Sequence, residues 1–280
     1  MVEKGRYFKF FKPRKSYFHL NLFLLFCLLA LFYLACTPSR PKTEPDREKD
    51  PQYHYEKAMV AMRYELPDMA ISFLQQALSL DPNFYPAYNL LGVIYHKKRE
   101  YQAAAEALTQ AIELKPDSGE AHHNLGVVYQ DMGLAEKAEQ EYRRAIELGY
   151  DRSLFLLARL LLDQKKYDEA IAFGLKAAQL EPKNPAVFNL LGVACNEKRD
   201  YKSALAYFQR AMNLAPEDPV IWINMAIAHL NNGERERARE LLEKALTKLQ
   251  DQALIDKVRS WLEQIKLQPD DKNFMARTSS

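Results

Sequence analysis

Hydrophobic positions follow three regimes along the chain. Leu22 to Ala35 form an apolar run broken only by Cys27. Residues 36–50 read as a tether, because Thr37 to Asp50 carry Pro38, Pro41 and Pro45, several charges and no large apolar residue. From Pro51 onward, small and large apolar residues recur at fixed places in rows of 34.

Six rows align, spanning 51–84, 85–118, 119–150, 151–184, 185–218 and 219–252. Place 8 is Ala58, Gly92, Gly126, Ala158, Gly192 and Ala226. Place 20 is alanine throughout (Ala70, Ala104, Ala138, Ala170, Ala204, Ala238), and so is place 27 (Ala77, Ala111, Ala145, Ala177, Ala211, Ala245). Larger residues take places 4, 7, 11 and 24, as Tyr88, Leu91, Tyr95 and Leu108 do in the second row. Two antiparallel helices approach to about 8–10 Å only where their contact positions are small, which is what places 8, 20 and 27 supply. Pro82, Pro116, Pro182 and Pro216 end the second helix of their rows. No row can bury its faces alone, so the pattern predicts an all-α stack of helix pairs.

In six concordant copies over residues 51 to about 250, this pattern resembles the tetratricopeptide repeat. The resemblance implies a right-handed superhelical solenoid whose first helices line a concave groove for a partner's peptide or helix. Places 5, 9 and 12 then face inward, being i, i+4 and i+7 on one helical face. On this chain the groove reads Tyr55, Met59, Met62; Asn89, Val93, His96; His123, Val127, Gln130; Phe155, Arg159, Leu162; Asn189, Val193, Asn196; and Ile223, Ile227, Leu230. Amides can hydrogen-bond a peptide backbone both ways, and the apolar members can accept apolar side chains. The competing reading is that Val93, Val127 and Val193 merely pack against the neighbouring repeat. The Lys/Asn/Arg clamp with which chaperone-binding relatives hold a terminal carboxylate is missing from the matching places.

Local departures carry expectations of their own. The third row is two residues short and lacks its terminal proline, which predicts a bend in the stack; Gly174 replaces the large residue at place 24, and Cys195 and His229 stand at place 11. After the sixth row, Leu254, Ile255, Val258, Trp261, Leu262 and Ile265 share one helical face, predicting a capping helix over 253–267 with Trp261 in its core. Residues 268–280 read as a disordered tail.

Charge changes the picture at the N-terminus. Six of the 39 basic residues and one of the 37 acidic ones fall in the first 35 positions, leaving 33 against 36, about −3, for the remainder. A mildly acidic body without a basic block gives no reason to expect a nucleic-acid partner. Basic residues ahead of an apolar run have the order of a signal peptide, here 1–35, and hold the N-terminus in the cytoplasm while the body crosses. The stretch Tyr33-Leu34-Ala35-Cys36 resembles the lipobox of bacterial lipoproteins, with Ala35 as the small residue before a lipidated Cys36. That family prefers Leu three places before the cysteine and a small residue two before, where this chain has Tyr33 and Leu34. Thr37 rather than Asp follows Cys36, which by the same resemblance favours the outer membrane, facing the periplasm. The alternative is an uncleaved anchor. Residues 22–35 alone rise only about 21 Å as helix, short of a hydrocarbon core of about 30 Å, but Tyr17, Phe18, His19 and Asn21 would extend them.

Catalytic patterns are not found: there is no glycine-rich phosphate loop, Gly-x-Ser-x-Gly, His-Glu-x-x-His or Cys-x-x-Cys. Adjacent His122 and His123 would point about 100° apart on a helix, which does not suit a shared metal. No cofactor or metal is expected, and Cys195 would be the only thiol left in a mature form that loses Cys27 and lipidates Cys36. The sequence therefore predicts a non-enzymatic, membrane-tethered adaptor or assembly factor of the bacterial cell envelope that grips a protein partner. It resembles the envelope lipoproteins that assist pilus or secretin assembly (pilotins) and those that scaffold cell-wall hydrolases. Self-association through an edge or the groove stays open. So do an inner-membrane-anchored scaffold of an assembly complex and a substrate-presenting subunit of an enzyme.

Overall fold

The structure, a computed structural model, describes residues 47–267, so the signal segment, Cys36, the tether up to Asp46 and the tail lie outside it. Thirteen α-helices and no strand are present among the described residues. They are α1 (Pro51–Arg63), α2 (Pro67–Leu80), α3 (Tyr85–Lys97), α4 (Tyr101–Leu114), α5 (Gly119–Asp131), α6 (Ala135–Glu147), α7 (Ser153–Asp163), α8 (Tyr167–Leu180), α9 (Pro185–Glu197), α10 (Tyr201–Leu214), α11 (Pro219–Asn231), α12 (Arg235–Leu246) and α13 (Gln252–Leu267). The first twelve form six hairpins, and each hairpin packs its first helix on the second helix of the one before. First helices of successive hairpins also touch, as α3 and α5, α7 and α9, and α9 and α11 do, which puts them on the tighter, inner side of the stack.

Every first helix stops in the same way. Place 15 has positive φ in all six repeats, at Glu65 (57°), Arg99 (63°), Gly133 (73°), Lys165 (61°), Arg199 (65°) and Gly233 (83°). The amides that follow close a Schellman pattern: Arg99 N donates to His96 O at 2.8 Å and Glu100 N to Tyr95 O at 2.9 Å, with counterparts in the other five. Helix starts are set by side chains. Asp50, Ser118, Asn184 and Asp218 each accept a backbone N–H of the first turn of a first helix, and Pro51, Pro185 and Pro219 occupy the first helical position of theirs. Just ahead of α1, His54 Nε2 and the Glu48 carbonyl oxygen are 2.8 Å apart.

Small residues at place 8 answer large ones at place 24. A Cβ on Gly126 would lie 2.7 Å from Tyr142, and one on Gly192 would lie 2.6 Å from Phe208, so the aromatic rings occupy the space a side chain would need. Gly174 inverts the arrangement: Leu191 of the next repeat fills its place, 2.8 Å from where a Cβ would stand. The short third repeat ends at Gly149, whose φ of 82° lets Tyr150 N reach Ala145 O at 2.9 Å and turn the chain without proline. At the far end, Val258, Trp261, Leu262 and Ile265 of α13 enter one core cluster with Trp222, Ile223, Ala226 and Leu230 of α11 and Ala238, Leu242 and Ala245 of α12.

Candidate protein-binding face

Several residues at the places expected to line the inner face are hydrogen-bonded to residues one position further on in the next repeat. Asn89 Oδ1 accepts from Asn124 Nδ2 at 3.0 Å, Asn189 Oδ1 from Asn224 Nδ2 at 3.0 Å, and Asn196 Oδ1 from Asn231 Nδ2 at 3.1 Å. His96 Nε2 and Asp131 Oδ2 are 2.6 Å apart in the same relation. Each pair joins place 5 to place 6, or place 12 to place 13, of the next repeat, a separation of 35 residues. A carboxamide has two N–H donors and an oxygen with two lone pairs, so a pair that uses one donor and one acceptor keeps others for a ligand. These partners (Asn124, Asp131, Asn224, Asn231) are absent from the sequence-derived set. For the three asparagines the signal was the recurrence of Asn at 35 residues rather than 34; Asp131 opposite His96 carried no such signal.

The shortened third repeat breaks this register. There His123 Nδ1 lies 2.8 Å from Ser153 Oγ, and its ring sits 5.0 Å from that of Tyr150. Burial and the Arg152 charge hold the His123 imidazole below its usual pKa, so it is neutral at pH 7. Its neighbour His122 turns the other way, with Nδ1 2.6 Å from Glu141 Oε2 and Nε2 3.2 Å from the Pro116 carbonyl oxygen. Gln130 Oε1 accepts from the buried Tyr142 hydroxyl at 2.9 Å, and burial raises the pKa of that phenol.

Exposure along the predicted groove is graded. Met59, Val93 and Arg159 are exposed; Tyr55, Met62, Asn89, His96, His123, Val127, Gln130, Phe155, Leu162, Asn189, Val193 and Ile227 are half-buried. Asn196, Ile223 and Leu230 are buried and do not present an open surface. The cause is neighbouring packing: Asn196 lies beneath the Asn231 amide, and Ile223 and Leu230 belong to the cluster that α13 completes. Val258 and Ile265 stand 35 residues beyond Ile223 and Leu230, so α13 holds the register of a seventh first helix with apolar pairs replacing amide pairs. A recess of about 430 Å³, lined by His96, Lys97, Arg99, Tyr101 and Asp131, flanks the inner face at the α3–α4 turn.

Chemically reactive groups are muted. Cys195 is buried and its thiol pKa is pushed up to about 11, chiefly by burial, which removes the thiolate a nucleophile or ligand needs. Among the described residues no group of three or more His, Cys, Asp and Glu is placed to hold a metal ion, and no helix is long and apolar enough to cross a membrane.

Models of the tetratricopeptide repeat match residues 51–84, 73–106, 94–133, 123–185 and 196–262. No curated protein matches the chain. Among solved structures, PilW, described as a widely conserved type IV pilus biogenesis factor, superposes with a TM-score of 0.64 at 18% identity, covering 74% of this chain and 97% of PilW. YrrB, described as a TPR protein with an unusual peptide-binding site, gives 0.60 at 18% identity, over 67% of this chain and 97% of its own. The pilF protein of Pseudomonas aeruginosa gives 0.53 at 25% identity, over 70% and 96%. With its repeats, its helix pairs and these matches in agreement, the chain belongs to the tetratricopeptide repeat family.

Proposed function

We propose that this protein is a non-catalytic adaptor of the bacterial cell envelope, tethered to the membrane through Cys36, which holds an extended or helical segment of another envelope protein along its inner face. The observation that carries the reading is the unfilled strip formed by Met59, Val93, Val127, Phe155 and Val193 beside the Asn89–Asn124 and Asn189–Asn224 pairs. Apolar side chains of a ligand would seat on the first set and its backbone would meet the second. The peptide-binding site named for YrrB and the pilus role named for PilW support this kind of partner. The test is intact mass from the membrane fraction beside a Cys36→Ser variant, followed by pull-down with Val93→Asp/Val127→Asp. Loss of residues 1–35 with gain of a diacyl or triacyl group, and loss of the captured partner in the double variant, are expected. An unchanged catch from the double variant contradicts the groove.

A second reading keeps the solenoid and makes residues 17–35 an uncleaved inner-membrane anchor. Tyr33 and Leu34, which depart from the lipobox pattern, favour it. A full-length, unmodified mass would establish it.

A further inference from the structure

The first repeat leaves an apolar edge bare. Val60 on α1, Tyr64 and Leu66 in the turn that follows, and Met69 on α2 are all exposed, Tyr64 by 74%. We propose that this edge rests directly on the lipid surface of the membrane to which the chain is tethered, as a second contact beside the lipid or anchor. The inference depends on the tethered reading given above and deepens it.

Reach comes first. Arg47, where the described residues begin, lies eleven residues beyond Cys36, at most roughly 36 Å of extended chain, so the first repeat is confined near the bilayer. The residues between, Thr37 to Asp46, contain no large apolar side chain that could fold back over the edge. A link of ten residues holds the edge at an effective concentration on the order of millimolar, so a contact too weak to bind a free protein is still populated.

The edge also has the chemistry of a bilayer interface. Tyr64 joins an apolar ring to a hydroxyl that suits the headgroup level, beside flexible Met and Leu side chains that can enter the acyl boundary. Its rim carries both signs: Glu56, Arg63, Glu65 and Asp68 are exposed, and Asp68 Oδ1 accepts from Lys98 Nζ at 2.8 Å. Three carboxylates against Arg63 and Lys98 leave the rim about −1, which gives anionic headgroups no attraction, so the contact forms by apolar insertion on zwitterionic lipid and withstands salt.

The full chain carrying Tyr64→Trp, purified from membranes and reconstituted into phosphatidylcholine vesicles with brominated acyl chains, tests the inference. Unsubstituted protein in the same vesicles supplies the background of Trp222 and Trp261. The indole at position 64 is expected to lose at least half its emission to acyl bromine, unchanged in 0.5 M salt, and a further Leu66→Ser/Met69→Ser change should restore it. Protein that fails to float with the vesicles overturns both the tether and the docking. Protein that floats while position 64 is quenched by aqueous iodide and not by bromine overturns the docking alone. Emission reached by neither quencher means that protein, such as a second copy, covers the edge, and overturns it too.

Discussion

The two ends of the stack treat their terminal surface in opposite ways. At the C-terminal end α13 lays Val258, Trp261, Leu262 and Ile265 over Ile223, Ala226 and Leu230, and turns Asp256, Lys257, Arg259, Ser260, Glu263 and Lys266 to solvent. Cation–aromatic contacts occur at both ends, Lys244 Nζ lying 4.1 Å from the Trp222 ring centre and Lys57 Nζ 4.5 Å from that of Tyr53, so they do not make the difference. At the N-terminal end Asp50 caps α1, but Val60, Tyr64, Leu66 and Met69 of the first repeat stay exposed. A solenoid is soluble when its terminal repeats carry polar outer faces. This one meets that condition at its far end only, and its bare end is the one next to the proposed tether.

Four experiments break or sharpen that contrast, read by urea unfolding of the chain. The largest effect belongs to Trp261→Ala, which removes a buried ring from the sealed end and should cost about 3–5 kcal/mol, with amide exchange rising in α11–α13 before the other repeats. Equal loosening of all repeats would mean α13 is no local cap.

Next is the amide pair that becomes an apolar pair one repeat later. Asn231→Leu leaves the buried Asn196 oxygen without its donor and should cost about 1–3 kcal/mol, whereas Asn196→Leu with Asn231→Leu copies the Leu230–Ile265 solution and recovers most of the loss. A double variant as weak as the single one would show that the pair's hydrogen bond itself carries the stability.

Lys165→Gly acts between the ends, relieving a left-handed backbone at a non-glycine residue and raising stability by about 1 kcal/mol. Smallest of all, Tyr64→Ser at the bare end should change stability by less than about 0.5 kcal/mol, because the ring has little packing to lose. A large loss there would mean the edge is already covered.

The stack itself was legible because sterics force alanine or glycine where helices cross: Ala104 and Ala111 announce the hairpin of α3 and α4 without any three-dimensional information. Trp261 was legible for a related reason, since its apolar neighbours share its helical face. The helix stops were less so. Four of six left-handed positions are Glu65, Arg99, Lys165 and Arg199, which carry no glycine signal, and only the Schellman geometry reveals them. The inner face was partly misread at Asn196, Ile223 and Leu230, because burial there depends on a neighbour 35 residues away in the stack rather than on each row's own pattern. The filling of Gly174 by Leu191 belongs to the same class of cross-repeat fact.

The central claim is that a partner segment lies along the inner face. A photo-crosslinking side chain placed at half-buried Val127, compared with one at exposed Gln110 on the outer helix α4, tests it most directly in intact cells. The account predicts a discrete crosslinked envelope protein from position 127 and none from position 110. The same product from both positions, or from position 110 alone, would contradict it.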